Sequence, residues 1–446
     1  MHPGVIGRLW EIDNFQVVLL NDSMPTIDHL SALEILDSRG RPTIQAFLRL
    51  AGGQRIGASV PSGASTGRAE AWELRDGDPA RYGGWGCRQA VEHVCGPIAR
   101  RLIGQKFQSQ KDLDGALLEL DPTPSKKRLG ANAILAVSLV FARAAAAQRG
   151  LPLYRYFAEL AGYPALHLPQ LTVNLFSGGK HAGAQTAIQD VLVVPRTESV
   201  ARGLEQVYAV YQAAAALILA KYHMRALAAD EGGLAPDFPS TAVMLQDAVE
   251  SIRRAGQRPG ETIALAVDVA ASHFYAEGRY VIDGQRLDAP GMIEHVARWV
   301  QDFPIISLED GLAEDDWSNW PQLRQRLARQ AMVLGDDFLC TNPARIERAV
   351  AAHAADALLL KVNQVGTLTE ALQALRLARA AGWKVVISAR SGETEDNWLA
   401  DLAVGFGGDQ IKIGSITRSE RLAKYNRLLQ IEAELRPSAS GPEPEA

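Results

Sequence analysis

Residues 263–270 read Ile-Ala-Leu-Ala-Val-Asp-Val-Ala, residues 304–310 Pro-Ile-Ile-Ser-Leu-Glu-Asp and residues 332–337 Met-Val-Leu-Gly-Asp-Asp. Each is a short apolar run that closes on an acid: Asp268, Glu309 and Asp336. Three later runs, ALLLKVNQ (357–364), KVVISAR (384–390) and QIKIGS (410–415), close on Lys361, Arg390 and Lys412. Upstream, LTVNLF (171–176) and IQDVLVV (188–194) bring the series to eight. Amphipathic helical segments alternate with the later runs, among them MIEHVARWV (292–300), PARIERAVAAHAA (343–355) and LTEALQALRLARA (368–380).

Continuous apolar strands separated by helices denote a parallel sheet covered on both faces. Eight of them predict a (β/α)8 barrel, whose strand ends converge on one mouth where active sites are built. Three carboxylates, two ammonium groups and a guanidinium then meet in one small volume. Convergent carboxylates repel one another unless a cation neutralises them. With no His or Cys at these strand ends, the all-oxygen donor set suits Mg²⁺ better than zinc. The alternative for any one acid is an ion pair with Lys361 or Lys412. A lysine beside a metal and a second ammonium group has its pKa pushed down, and a neutral amine is a general base near neutral pH. Proton abstraction next to a carboxylate needs such a base, with a metal and a second lysine to stabilise the enolate.

The N-terminal part follows a different rhythm. TIQAFLRLAGGQRIGASV (43–60) reads as a β-hairpin, and ANAILAVSLVFARAAAAQRG (131–150) as a helix stopped by Gly150 and Pro152. The expected organisation is an extension at 1–23, an α+β cap domain at 24–160, the barrel at 161–436 and a disordered Pro/Ser/Gly/Glu-rich tail at 437–446. Met24 is a candidate alternative start. Three loops could carry chemistry. Val60–Gly67 offers backbone donors, Asp230-Glu231-Gly232-Gly233 offers a general acid, and Gly178–Gly183 holds His181 between glycines.

The 446 residues carry a formal net charge of −5, with 47% apolar and 22% charged residues. That balance gives no reason to expect nucleic acid as a partner. Cys87, Cys95 and Cys340 fall in no metal-ligand spacing, and a disulfide framework is not indicated. We expect no secretory signal, no uninterrupted apolar span, no membrane partner and a cytoplasmic location.

Taken together these segments resemble the enolase family (phosphopyruvate hydratase) of bacterial type. The resemblance rests on EILDSRGRPT (34–43), VPSGASTG (60–67), LGANAILAVSL (129–139), GGKHAG (178–183), DEGGLAP (230–236), SLEDGL (307–312), GDDF (335–338), LLLKVNQVGTLTE (358–370), RSGETED (390–396) and RSERLAKYNRLLQIE (418–432). It implies an α+β cap followed by a (β/α)8 barrel beginning ββαα, and dehydration of 2-phosphoglycerate to phosphoenolpyruvate. Lysine base with Mg²⁺ is the combination for which that superfamily is known. By the resemblance, Asp268, Glu309 and Asp336 hold one Mg²⁺ and Ser65 helps hold a second. Lys361 takes the C2 proton and Glu231 protonates the departing hydroxyl. Lys412 faces the substrate carboxylate, while Arg390, Ser391 and His181 contact the phosphate and Asp190 lies on the substrate side. The implied partners are a small phosphorylated carboxylate and further copies of the chain, as a homodimer or homo-octamer.

Several positions depart from the family pattern. Ala389 stands where the family has His, Asp190 where it has Glu, Ser177 where it has Asn, Ile413 where it has Thr, and His273 where it has an acid. These motivate a second reading, a paralogue with an altered substrate in specialised metabolism, such as carboxyphosphonoenolpyruvate formation in phosphinate biosynthesis. A third reading is a non-catalytic lysine-dependent binder, which the intact acid, base and metal set and the acidic C-terminal residues disfavour.

Overall fold

The fold is described from a computed structural model covering residues 26–64, 66–163 and 165–436. The expected extension at 1–23, the tail at 437–446 and Ser65 lie outside the described residues.

The chain begins with an antiparallel sheet of β1 (Ile27–Leu36), β2 (Pro42–Leu50) and β3 (Arg55–Ser59). The turn between β1 and β2 is tied by Asp37, whose Oδ1 accepts from the amides of Arg39 (2.8 Å) and Arg41 (2.9 Å). Side-chain capture of nearby amides is what suits Asp to turns. The hairpin read at 43–60 is β2 with β3. The helix Ala131–Gln148 packs against it, and its alanines allow close approach.

Two helices, Ala131–Gln148 and Val200–Tyr222, are long and apolar enough to cross a membrane by length and composition. The first is 83% buried inside the fold over its apolar window, which its place against the cap sheet explains. The second packs against the helix Thr241–Arg254.

The barrel comprises β4 (Gln170–Ser177), β5 (Asp190–Pro195) and β6 (Ile263–Asp268). After a small three-stranded sheet of β7 (Tyr275–Ala276), β8 (Arg279–Ile282) and β9 (Gln285–Leu287) come the remaining five strands. These are β10 (Ile305–Glu309), β11 (Met332–Gly335), β12 (Ala357–Leu360), β13 (Lys384–Ser388) and β14 (Gln410–Gly414). The eight barrel strands close in the order β4-β5-β6-β10-β11-β12-β13-β14. An α/β barrel beginning ββαα, with an N-terminal cap, is therefore the architecture.

One strand departs from the all-parallel reading of the apolar runs. β5 is antiparallel to both β4 and β6. A parallel return needs a crossover of a dozen or more residues, usually a helix. The β4–β5 connection holds only a 3₁₀ turn, Gly179–Ala182, and no crossover helix, so β5 returns antiparallel. The two helices between β5 and β6 let β6 resume the direction of β4. The reversal matters for the site, because the start of β5 rather than its end lies at the mouth.

Strand parity does the rest. Ala266, Leu334 and Leu359 belong to apolar clusters distinct from the main core that the helices cover. Asp268, Asp336 and Lys361 each follow one of these residues by two positions. Alternation along a strand therefore carries them on the same face, toward the barrel axis.

Candidate active site

The sequence-predicted residues converge at the barrel mouth. His181, Glu231, Asp268, Asp336, Lys361, Arg390, Ser391 and Lys412 all border one cavity. Asp190 and Glu309 are buried directly behind it. Register explains the proximity: Asp268 pairs with Glu309 on β10 and with Asp190 on β5, and Ser177 pairs with Asp190.

Two ammonium groups serve the three acids. Lys412 Nζ donates to Asp268 Oδ2 at 2.8 Å and to both oxygens of Glu309 at 2.9 and 2.8 Å. Lys361 Nζ donates to Asp336 Oδ2 at 2.5 Å. The remaining oxygen of Asp336 accepts from Gln364 Nε2 at 3.0 Å, and Gln189 Nε2 donates to Asp268 at 3.1 Å. Burial pushes Glu309 well above the usual carboxylate range, and the neighbouring Asp268 adds to the effect. Burial acts the same way on Asp268, but the Lys412 ammonium outweighs it and holds that carboxyl low. Three buried carboxylates thus face two monovalent cations, and Glu309 is left short of positive charge. An all-oxygen donor set with that deficit fits a hard divalent cation.

The lysine base behaves differently from the reading of the strand ends. Burial, Arg390 and Lys412 all work against the Lys361 ammonium, as expected, yet Asp336 outweighs them and the pKa stands above the ordinary lysine value. The ion-pair alternative for Asp336 is the arrangement present here.

A second cluster lies across the cavity. The ligating atoms of His181, Asp190 and Glu231 fall within 4.8 Å of one another, so they too could hold a cation. His181 Nδ1 lies 3.1 Å from Asp190 Oδ2, and its Nε2 lies 3.9 Å from Glu231 Oε1. Ser177 Oγ donates to the other Asp190 oxygen at 2.6 Å, and Asn174 Nδ2 to Glu231 at 3.1 Å. Burial alone would lower the imidazole pKa, but Glu231 and Asp190 push it up to about 9. Burial likewise opposes ionisation of Glu231, yet His181 and the surrounding cations hold its pKa below the ordinary value. Of the two acids before the Gly-Gly turn, Glu231 is therefore the one at the cavity. Asp190 does not border the cavity; it orients His181 from behind.

Arg390 and Ser391 sit on the turn after β13. The guanidinium of Arg390 is gripped by Glu70 of the cap, through Nη1 (2.9 Å) and Nη2 (3.2 Å), and by Asn363 Oδ1 at 2.9 Å. Ser391 Oγ accepts from the Ala64 amide and from Arg39 Nη1, both at 3.1 Å. The cap loop thus reaches the barrel mouth. A side chain at Gly63 would meet Arg390 Nη2 at 2.2 Å, which is why the loop is built of small residues there.

Reading the runs missed Glu70, Asn174, Gln364 and Asp310. Asp310 adopts a left-handed φ of +44°, a strained conformation for a non-glycine residue. Its two carboxylate oxygens accept from the amides of Asp336 (2.9 Å) and Asp337 (2.7 Å), fixing the end of β11. Its place directly after Glu309 was the available signal. Glu70 had none, because its partner is 320 residues away in the chain.

Comparison with known families agrees with this architecture. Residues 27–157 match the family model described as "Enolase, N-terminal domain". Residues 165–441 match the one described as "Enolase, C-terminal TIM barrel domain". With both domains matched in order, and an acid, a lysine pair and a carboxylate triad gathered at the barrel mouth, the chain belongs to the enolase family and is an enolase-like lyase.

Proposed function

We propose that the chain is a Mg²⁺-dependent hydro-lyase that converts 2-phosphoglycerate to phosphoenolpyruvate and water. The observation that carries this reading is the presence, around one cavity, of Lys361 and Glu231 as base and acid beside three carboxylates. Asp268, Glu309 and Asp336 are the residues that would hold Mg²⁺, the cation enolase-family proteins typically use. When bound it supplies electrostatic stabilisation of the charge that develops on the substrate carboxylate.

The chain's own residues account for the rest. Lys412 faces that carboxylate and shares its stabilisation. Lys361 becomes a base when Asp336 no longer directs its charge at the ammonium, because Arg390 and Lys412 then disfavour the protonated amine. Glu231 delivers a proton to the departing C3 hydroxyl once it has taken one up, because His181, whose Nε2 lies 3.9 Å away, favours its ionised form. His181 itself contacts the phosphate. Arg390 and Ser391 hold the phosphate. Ser65 on the cap loop is the proposed ligand of a second Mg²⁺. Family membership supports a cytoplasmic homodimer or homo-octamer.

The test is turnover of 2-phosphoglycerate by the purified chain, with and without Mg²⁺. Phosphoenolpyruvate should form only with Mg²⁺, and Lys361→Ala should lower kcat by about 10²–10⁴-fold. A native chain that binds Mg²⁺ yet forms no phosphoenolpyruvate would overturn the reading.

A second reading has its own observation. Ala389 borders the cavity with a methyl group at a position where the sequence resemblance implies an imidazole, and Ser177 and Asp190, two further positions read as departures, bond to each other at 2.6 Å. A changed pocket wall with compensated neighbours supports a paralogue acting on a different substrate, such as one forming carboxyphosphonoenolpyruvate. Under that reading Ala389→His with Asp190→Glu raises 2-phosphoglycerate turnover. Full native activity on 2-phosphoglycerate removes its motive.

A further inference from the structure

The helix Ser419–Leu435 lies outside the barrel and contributes nothing to the cavity lining, yet one of its side chains touches the mouth at several points. Arg421 is fully buried. Its Nη1 donates to the carbonyls of Arg390 (2.7 Å) and Ile413 (2.9 Å), and its Nη2 to the carbonyl of Ser391 (2.7 Å). A guanidinium is well suited to this task, since its planar fork reaches several acceptors at fixed angles.

Three carbonyls from two separate strand ends are thus held by one cation. Two belong to the Arg390–Ser391 turn, and the third, that of Ile413, follows Lys412 on β14. The same side chain packs at Gly414, where an added Cβ would meet Arg421 Cδ and the Glu231 carbonyl, each at 2.9 Å. The backbone of the Glu231 loop is tied to this corner as well, because the Ser415 amide donates to the Glu231 carbonyl at 2.9 Å.

One helical turn further on, Lys424 completes the arrangement. Its Nζ donates to the Thr394 carbonyl at 2.7 Å and pairs with Glu393 Oε2 at 2.9 Å. The other oxygen of Glu393 accepts from the Arg390 amide at 3.1 Å. Burying two cations is costly unless they are paired and hydrogen-bonded. Here both Arg421 terminal nitrogens and Lys424 Nζ bond to carbonyls of the mouth, while Arg421 Nε pairs with Glu420 at 3.4 Å and Lys424 with Glu393. Hydrophobic side chains at 421 and 424 would fill the space, but they would not fix the carbonyls of that turn.

We propose that Arg421, seconded by Lys424, is a positioning residue that sets the Arg390–Ser391 turn for an anionic group of the substrate. It links that turn to the strand end carrying Lys412 and to the loop carrying Glu231. This rests on the proposed assignment of Arg390 and Ser391 to the substrate phosphate.

The experiment measures inorganic phosphate binding by calorimetry on the full chain with Mg²⁺, well below the thermal midpoint of every variant. Arg421→Gln should weaken phosphate binding about tenfold, equivalent to about 1.4 kcal/mol, because the Arg390–Ser391 turn loses the groups that fix its carbonyls. Arg421→Lys, which keeps the charge but not the fork, should recover part of that loss. Mg²⁺ affinity should stay within about twofold, because no carboxylate of the triad touches Arg421. Phosphate affinity equal to native in Arg421→Gln, with only a lowered thermal midpoint, would reduce the residue to a structural role and overturn the proposal. If Arg421→Gln does not fold, Lys424→Met takes its place, and unchanged phosphate affinity there has the same consequence. Arg390→Met separates the two readings. If that substitution leaves native phosphate binding intact, the functional assignment of the turn fails rather than the role of Arg421.

Discussion

At the scale of single residues, the site is a set of charges whose neighbours decide their protonation. His181 is the clearest case. A buried imidazole ordinarily loses its proton readily, but here it lies between Asp190 and Glu231, which raise its pKa to about 9. A group whose folded pKa lies above its unfolded value of about 6.5 contributes stability that is complete below about pH 6.5 and is lost as pH rises through about 9. Native protein should therefore lose stability to urea across that window more steeply than His181→Gln, and a pH-independent difference would sink the assignment. NMR of the labelled imidazole in Mg²⁺-free protein should titrate near 9, and Asp190→Asn should move the midpoint down toward the ordinary histidine value. The glycine-flanked loop marked His181 in the sequence. Its pairing with Asp190 was not legible, because it depends on β5 running backwards.

At the scale of elements, the eight apolar runs and their closing charges were legible because strand burial on both faces leaves a continuous hydrophobic signature. Their parity then placed Asp268, Asp336 and Lys361 toward the axis. What the runs did not carry was direction, and the antiparallel β5 emerged only from its register with β4 and β6. The seam between cap and barrel is a second element-scale feature. The Ser62 amide donates to the Gly392 carbonyl at 2.7 Å, and the Gly392 amide to the Ser62 carbonyl at 3.0 Å. A Cβ at Gly392 would stand 2.3 Å from Asp37 Oδ2 and 2.4 Å from Ser62 Oγ. These neighbours are themselves bonded at 2.5 Å and have no room to retreat. Gly392→Ala should thus cost about 1–3 kcal/mol in urea unfolding and displace the adjacent Ser391. A variant as stable as the native chain would mean the seam yields more easily than its packing implies.

At the scale of the whole molecule, cap and barrel are joined by buried, directional bonds rather than by a flexible hinge. Arg143 on the cap helix donates to Asp396, whose Oδ2 also accepts from the Ser59 amide at 2.9 Å. Trp398 Nε1 donates to the Ser59 carbonyl at 3.0 Å, and Lys126 pairs with Glu370 at 2.7 Å. Losing one partner of such a pair leaves a buried charge uncompensated, so neither part should unfold while the other persists. Tryptophan fluorescence and far-ultraviolet circular dichroism should give coincident urea transitions, and two separated transitions would show the parts to be independent. By itself, the sequence determined the strand runs, the charges at their ends and the glycine-bordered loops, because each is set by local periodicity or by backbone freedom at one position. Only the tertiary structure decided the direction of β5, the grip of Glu70 on Arg390, the Asp336 partner that raises Lys361 and the reach of Arg421 into the mouth. Those depend on which distant segments are brought within hydrogen-bond range, and spacing along a chain does not encode distance across a closed barrel.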